Sequence, residues 1–385
     1  MFSDRGSIDL KTMKKLLLVF CAGCLVACHP AARLEPGNWD PSVRKSLNTL
    51  MRENAREGAY AVFDFDKTSS VHDISQALWV YQVEHLRYAD APAHCFLDGV
   101  PDPSKELLEG VTFADMGATL KAEYEAMRQM LDAGTSLEEV HASDTYLDFR
   151  ARMFSLLAGM DEAFGGTVSY LWMPGLLTGF TPEEAQALVR EAVHDQFGRE
   201  KLAAESWRSP DGRWGGIVER GIWVSPEMKD LYRCLSNNGI DAYVCSASLE
   251  LVVEALACDP DLGPGLSPDH VFGLRLVPGE RLKAVYDSTY VQPIKAGKVA
   301  CINAWMAPAH AGAGPVLVGG DSNGDVPMLT AYPETVHGLL IDVGRSPESA
   351  IGRLVSEAKA QNKAGRNLVQ PAFAPVPEGV QGGGI

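Results

Sequence analysis

The stretch AYAVFDFDKTSS, residues 59–70, carries an apolar run straight into a cluster of polar groups. Ala61, Val62 and Phe63 read as a buried strand. The chain then delivers Asp64 and Asp66, one residue apart, followed by Lys67, Thr68 and Ser69. Desolvated carboxylates need a partner, so a buried strand that ends in them implies that they bind something. Side chains two apart on an extended chain share a face. Asp64 and Asp66 can therefore converge on one metal ion or one reacting group. Phosphoryl transfer needs that arrangement, with one carboxylate attacking while its neighbour moves the proton.

Working outward, Pro41 opens a helical segment that closes at Gly58, the usual punctuation of a helix. After residue 71 the pattern changes. Helical periodicity is read at 75–88, 113–131, 136–157 and 181–193, the last opened by Thr-Pro-Glu-Glu, and no alternation of strand type is visible. From residue 222 an α/β rhythm takes over. Helices are expected at 226–237, 248–257, 298–305, 326–330 and 347–360, and strands at 240–245, 271–277, 282–286, 315–318 and 336–341. Strands alternating with helices imply a parallel sheet covered on both faces. The expected organisation is a tether at 29–40, an α/β core of 41–75 and 222–360, a mainly helical insert at 76–221, and a disordered Pro/Gly-rich tail at 361–385. No internal repeat is present.

Three further clusters fall at strand-to-helix junctions, where ligands of open α/β sheets bind. Ser246 follows the strand Ala242-Tyr243-Val244-Cys245, placed to hold a phosphate oxygen with the amides of the next helix. Lys295 and Lys298 stand at the start of a helix. Gly319-Gly320-Asp321-Ser322-Asn323-Gly324-Asp325 follows the strand Val316-Leu317-Val318 and adds two carboxylates in a glycine-rich turn. Singly, each reads equally well as a helix cap, a solvated lysine or a plain turn. All four in this order, each after a strand, point to one phosphoryl-transfer site.

With these motifs the chain resembles the haloacid dehalogenase superfamily over residues 59–75 and 222–345, and most closely its phosphoserine-phosphatase-like branch, which includes bacterial phosphorylcholine phosphatases. The resemblance implies a Rossmann-like core with a helical cap of the C1 type after the first motif. It implies that Asp64 is the nucleophile of an aspartyl-phosphate intermediate. Asp66 would be the acid/base, with its backbone carbonyl on Mg²⁺. Ser246 and Lys298 would hold the phosphoryl oxygens, Thr68 would support the first loop, Asp321 would ligate the metal, and Asp325 would orient metal-bound water. An all-oxygen carboxylate site suits Mg²⁺ on its own chemistry. Lys67 departs from the pattern, since glycine or asparagine is commoner there, and it creates an Asp-Lys-Thr sequence in which Asp66 would be the nucleophile. Lys295 competes with Lys298 for the third motif. Asp73 falls where that branch often carries a substrate-facing glutamate.

The expected activity is a Mg²⁺-dependent hydrolysis of a small phosphomonoester. Phosphorylcholine is attractive because a quaternary ammonium binds aromatic faces. Trp172, Trp207 and Trp214, in irregular segments, are candidates for such a cage, whereas Trp79, at helical spacing from Val83 and Leu86, reads as core. Phosphoserine or a glycerol phosphate is the alternative substrate. Two other classes are a dehalogenase, against which Asp66 argues, and a non-catalytic envelope lipoprotein, which would be expected to have lost one of the motifs.

The formal charge of −16, with no basic stretch to offset it, argues against nucleic acid as a partner. Residues 13–28, MKKLLLVFCAGCLVAC, have two lysines, an apolar run too short to span a membrane comfortably, and small residues before Cys28. Leu25-Val26-Ala27-Cys28 resembles a bacterial lipobox, so residues 1–28 are expected to be a signal, with Met13 the true start. Cys28 would then be lipidated, and the protein anchored in the cell envelope facing the periplasm, with His29 leaning toward the outer membrane. An ordinary secretory signal is the alternative. Cys95, Cys234, Cys245, Cys258 and Cys301 have no zinc-type spacing. Some of them could pair in an oxidising compartment.

Overall fold

A computed structural model of the chain describes residues 31–89, 96–361 and 365–374. The signal stretch with Cys28, the cysteine at 95 and the last eleven residues lie outside the described residues. Helix α1 (Pro41–Glu53) leads into β1 (Tyr60–Phe63) and α2 (Ile74–His85). Then come β2 (Glu106–Leu108), β3 (Val111–Thr112), α3 (Phe113–Asp132), α4 (Leu137–His141), α5 (Asp144–Phe164), α6 (Gly166–Gly175) and α7 (Pro182–Gln196). A hairpin of β4 (Ala203–Arg208) and β5 (Gly215–Arg220) precedes α8 (Pro226–Asn237), β6 (Asp241–Leu249), α9 (Glu250–Ala257) and β7 (Val271–Leu274). The chain finishes through α10 (Ala296–Cys301), β8 (Leu317–Gly320), α11 (Val326–Ala331), β9 (His337–Asp342), α12 (Ala350–Ala360) and β10 (Asn367–Pro371).

Six strands form one sheet in the order β10-β9-β8-β1-β6-β7, every neighbouring pair parallel. β1 is central and buried at all four positions. Its alternation splits cleanly, with Ala61 and Phe63 joining one apolar cluster and Tyr60 and Val62 another. Both faces of the sheet are therefore covered, as an all-parallel sheet requires. Residues 79–218 contribute a third cluster of their own, built around Trp79, Phe113, Phe149 and Trp207. α2 is apolar on nearly every side because it serves two clusters: Ile74, Ala77 and Leu78 face the sheet, and Trp79, Val80 and Val83 face the insert.

The structure differs from the sequence reading in several places, including an unexpected helix at α6, and four bear most on the architecture. The insert, expected without strands, contains the short β2–β3 ladder and the β4–β5 hairpin of two six-residue strands. The helix expected at 136–157 is two, because Ser143 stops the first and caps the second by accepting the N–H of Tyr146. The strand expected at 282–286 is reduced to a single bridge between Leu276 and Tyr286.

The fourth difference joins the two ends of the α/β core. The supposed tail supplies β10, and part of the supposed tether packs against it. Trp39 meets Phe373 edge-on, ring centroids 5.0 Å apart, and Gln370 accepts the Asp40 N–H while donating to the Asn38 carbonyl. Cys234, Cys245, Cys258 and Cys301 are free thiols. Among the described residues no helix is long and apolar enough to cross a membrane.

Candidate active site

Phe63 is in register with Val244 of β6 and Gly319 of β8, so three strands end side by side and Asp64 emerges between them. The Asp64 N–H donates to the Gly319 carbonyl at 3.0 Å. Gly320 is required by packing, since a Cβ there would come within 2.5 Å of the Asp325 Cβ. The first loop is held by its own hydroxyls: Ser69 Oγ donates to the Asp64 carbonyl at 2.6 Å, and Ser70 Oγ to that of Phe65 at 3.1 Å.

Lys298 is buried and stands between two carboxylates, Nζ being 2.8 Å from Asp64 Oδ1 and 2.6 Å from Asp325 Oδ1. Geometry thus selects Lys298 over Lys295, whose side chain is exposed on the cavity wall. The other oxygen of Asp325 accepts from the Asp321 and Ser322 amides and the Ser322 hydroxyl, at 3.1, 2.9 and 2.9 Å. Asp321 accepts from Arg345 Nη2 at 2.7 Å and from Thr68 Oγ1 at 3.4 Å. Thr68 therefore supports the carboxylates and does not line the cavity. Asp64, Asp321 and Asp325 each offer an oxygen within 4.8 Å of the others, and all three are buried.

Collecting these acids away from water has an electrostatic cost. Burial pushes Asp64 well above the usual carboxylate range, and Asp325 adds to the rise against the pull of Lys298. Burial likewise raises Asp321, with Arg345 opposing. Lys298 is held charged because Asp325 and Asp64 outweigh its own desolvation. A cation among the three carboxylates would restore their ionised form, and three oxygen ligands are the donor set of a hard divalent ion. The residues present fit a metal.

Asp66 points elsewhere. Its Oδ1 accepts the Ile74 N–H at 2.7 Å, at the start of α2, and its Oδ2 accepts from Ser248 Oγ at 2.6 Å. Ser248 is itself fixed by Ser75 Oγ at 2.9 Å. Burial first, then Asp73, pushes Asp66 up to about 8. Asp73 caps α2 by accepting the Gln76 N–H and faces the same cavity.

The cavity over these groups measures about 440 Å³, with Phe154, Tyr170, Met173 and Ile217 of the insert on its far side. Trp172, Trp207 and Trp214 do not form its wall. All three are sealed in the insert's own core, so the cage expected of them is not formed; the aromatic residues on the cavity wall are Tyr170 and Phe154. Trp79 is core, as its spacing implies. Ser246 is wholly buried and its hydroxyl accepts the Ser248 N–H at 3.0 Å. The residues at this end of β6 that face the cavity are Ala247 and Ser248.

Several cavity residues escape the sequence reading, Ser248, Tyr170, Glu219 and Arg345 among them. Ser248 shares a strand face with Ser246 because β6 continues to Leu249, past its expected end at residue 245. Tyr170, Glu219 and Arg345 carry no local signature.

Fold and site together define an α/β enzyme whose parallel strands end in a lysine-bridged aspartate cluster beneath an inserted block. The chain belongs to the haloacid dehalogenase-like hydrolase family, which matches residues 112–330. It is similar to phosphorylcholine phosphatase of Pseudomonas aeruginosa, with 26% identity over 268 residues, covering 67% of this chain and 62% of that protein. The chain thus spans less than two thirds of that relative's length. Among solved structures, a functionally unknown protein from Anaerococcus prevotii has 26% identity and a TM-score of 0.76, covering 90% of this chain and 98% of that one. A protein of unknown function from Bordetella pertussis has 16% identity and a TM-score of 0.41, over 78% of this chain and 95% of that one.

Proposed function

We propose that the protein is a Mg²⁺-dependent phosphomonoesterase that works through an aspartyl-phosphate on Asp64. The observation that carries this reading is the Lys298 bridge between Asp64 and Asp325 beside a second, separately held carboxylate, Asp66. In the first step Asp64 attacks phosphorus, the bond from phosphorus to the leaving oxygen breaks, and Asp66 gives that oxygen its proton. In the second, Asp66 takes a proton from a water that attacks the same phosphorus and displaces Asp64. Lys298 tempers the charge on Asp64 and then offsets that of the transferring group. Asp64, Asp321, Asp325 and the backbone of Asp66 would hold Mg²⁺, which when bound neutralises the phosphoryl oxygens.

The sequence similarity to a phosphorylcholine phosphatase favours phosphorylcholine as substrate. Tyr170 and Phe154 offer aromatic faces to a quaternary ammonium, and Asp73 offers it negative charge. The insert would then act as the cap that selects the leaving group. We further propose that Cys28 carries a lipid anchor in the cell envelope, on the strength of its lipobox-like sequence.

The deciding experiment is phosphate release from phosphorylcholine, phosphoserine and glycerol phosphate, with Mg²⁺ and with chelator. Activity that survives both the chelator and Asp64→Asn would sink the mechanism. Phosphoserine or glycerol phosphate outpacing phosphorylcholine would move the substrate assignment. Radiolabelled palmitate that is absent from the protein in growing bacteria would remove the anchor.

A further inference from the structure

Lys67 is the one charged residue of the opening stretch with no part in that mechanism. It holds a left-handed backbone, φ +57°, which glycine or asparagine adopts more easily than lysine. Such a conformation persists where surrounding contacts over-determine it. The Lys67 N–H donates to the His72 carbonyl at 3.2 Å, and its Nζ lies 2.7 Å from Glu219 Oε2. The two side chains are only 19% and 7% exposed.

Glu219 belongs to β5, in the insert. Three other contacts stitch the same segments together. Gln76 Nε2 donates to the Glu219 carbonyl at 3.2 Å, His72 Nδ1 lies 2.9 Å from the Arg220 carbonyl, and Val71 bridges to Trp223. Of these, Lys67, Glu219 and Gln76 face the cavity, and the ion pair is the part that joins two cavity-lining side chains. An ion pair this far from water holds its ends firmly, because separating them strands a charge.

We propose that the Lys67–Glu219 pair is a specificity-determining clasp. It fixes the spacing between the first loop and β5 across the cavity, and so sets the size of leaving group the site admits. It also holds the Lys67 ammonium away from the phosphoryl group, leaving that role to Lys298. The substrate half of this inference rests on the phosphatase reading, while the clasp itself does not.

The test uses Lys67→Asn, which suits the left-handed backbone, Glu219→Gln, which keeps the shape, the double variant, and Lys67→Arg. The readout is the ratio of kcat/KM for phosphorylcholine over that for a nucleoside 5′-monophosphate. Each single variant is expected to lower the ratio about tenfold. The double variant should fall no further, since the two residues act as one unit, and Lys67→Arg should keep the wild-type ratio. An unchanged ratio, or effects that add, overturns the proposal. Should the wild type release phosphate from neither ester, nor from phosphoserine or glycerol phosphate, the phosphatase reading fails while the clasp is read by hydrogen exchange of amides 215–223. Exchange quickened equally in the two single variants and the double supports it, and wild-type exchange overturns it.

Discussion

The hydroxyl of Ser248 donates to Oδ2 of Asp66 at 2.6 Å, fastening the proposed acid/base to the C-terminal end of β6. That bond favours the ionised form of Asp66, against burial and then Asp73, which favour the neutral one. The balance leaves Asp66 protonated below about 8, the form that can donate to a leaving oxygen. Activity is therefore expected to fall as pH rises through the folded pKa. Ser248→Ala should move that alkaline limb upward. Asp73→Asn, which keeps the helix cap, should move it downward. Limbs that shift together, measured as kcat/KM against pH, would refute the assignment.

The same shift has a thermodynamic face. A carboxyl whose pKa is raised on folding contributes stability that is complete below its unfolded value and is lost as pH rises through the folded one. For Asp66 that window runs from 3.8 to about 8. With chelator present, the melting temperature should decline between about pH 4 and 8, and more shallowly for Asp66→Asn than for the wild type.

Asp64→Asn is expected to abolish turnover and the acid-stable trapping of labelled phosphate on the protein. Asp66→Asn should lower kcat by about 10²–10⁴-fold, the usual contribution of a positioned acid/base. A quenched-flow experiment separates formation of the covalent intermediate from its hydrolysis.

Mg²⁺ at about a hundred times its dissociation constant should stabilise the fold by about 2.7 kcal/mol. Asp321→Asn should remove most of that gain, because Asp321 is one of the three convergent carboxylates. Thermal melts with and without the ion provide the check without reference to turnover.

Trp207 and Tyr170 should separate stability from recognition. Trp207 is sealed in the insert's core, so Trp207→Ala should cost about 3–5 kcal/mol. Tyr170→Ala, on the cavity wall, should instead raise KM for a quaternary ammonium ester. Denaturant melts and steady-state kinetics on both variants decide the matter.

The core was legible in the sequence because its strands are buried on both faces and read as continuous apolar runs ending in charge. Asp64, Lys298, Asp321 and Asp325 could be grouped on that basis, and the structure brings them together. The β4–β5 hairpin was not legible. In β4 only Trp207 is fully buried, so no alternation of apolar side chains marks the strand. Its loss left Trp207 and Trp214 in apparently irregular chain, which is why they read as a cage. β10 hid for a related reason. It is an edge strand ending in proline, and its buried Gln370 is a polar residue bonded to Asp40 and Asn38, far away in sequence, as well as to the adjacent Pro371 carbonyl. Lys67 was visible as an oddity, but its partner Glu219 lies on the unread strand.

The central position of β1 bears on how the protein is born. Thr68 meets Asp321 across 253 residues of chain, and Asp40 meets Gln370 across 330. A ribosome must therefore extrude most of the polypeptide before the strand made first acquires both its neighbours. Until then the apolar run from Tyr60 to Phe63 lacks at least one of its neighbours, an open edge that exposes the incomplete chain to misassociation.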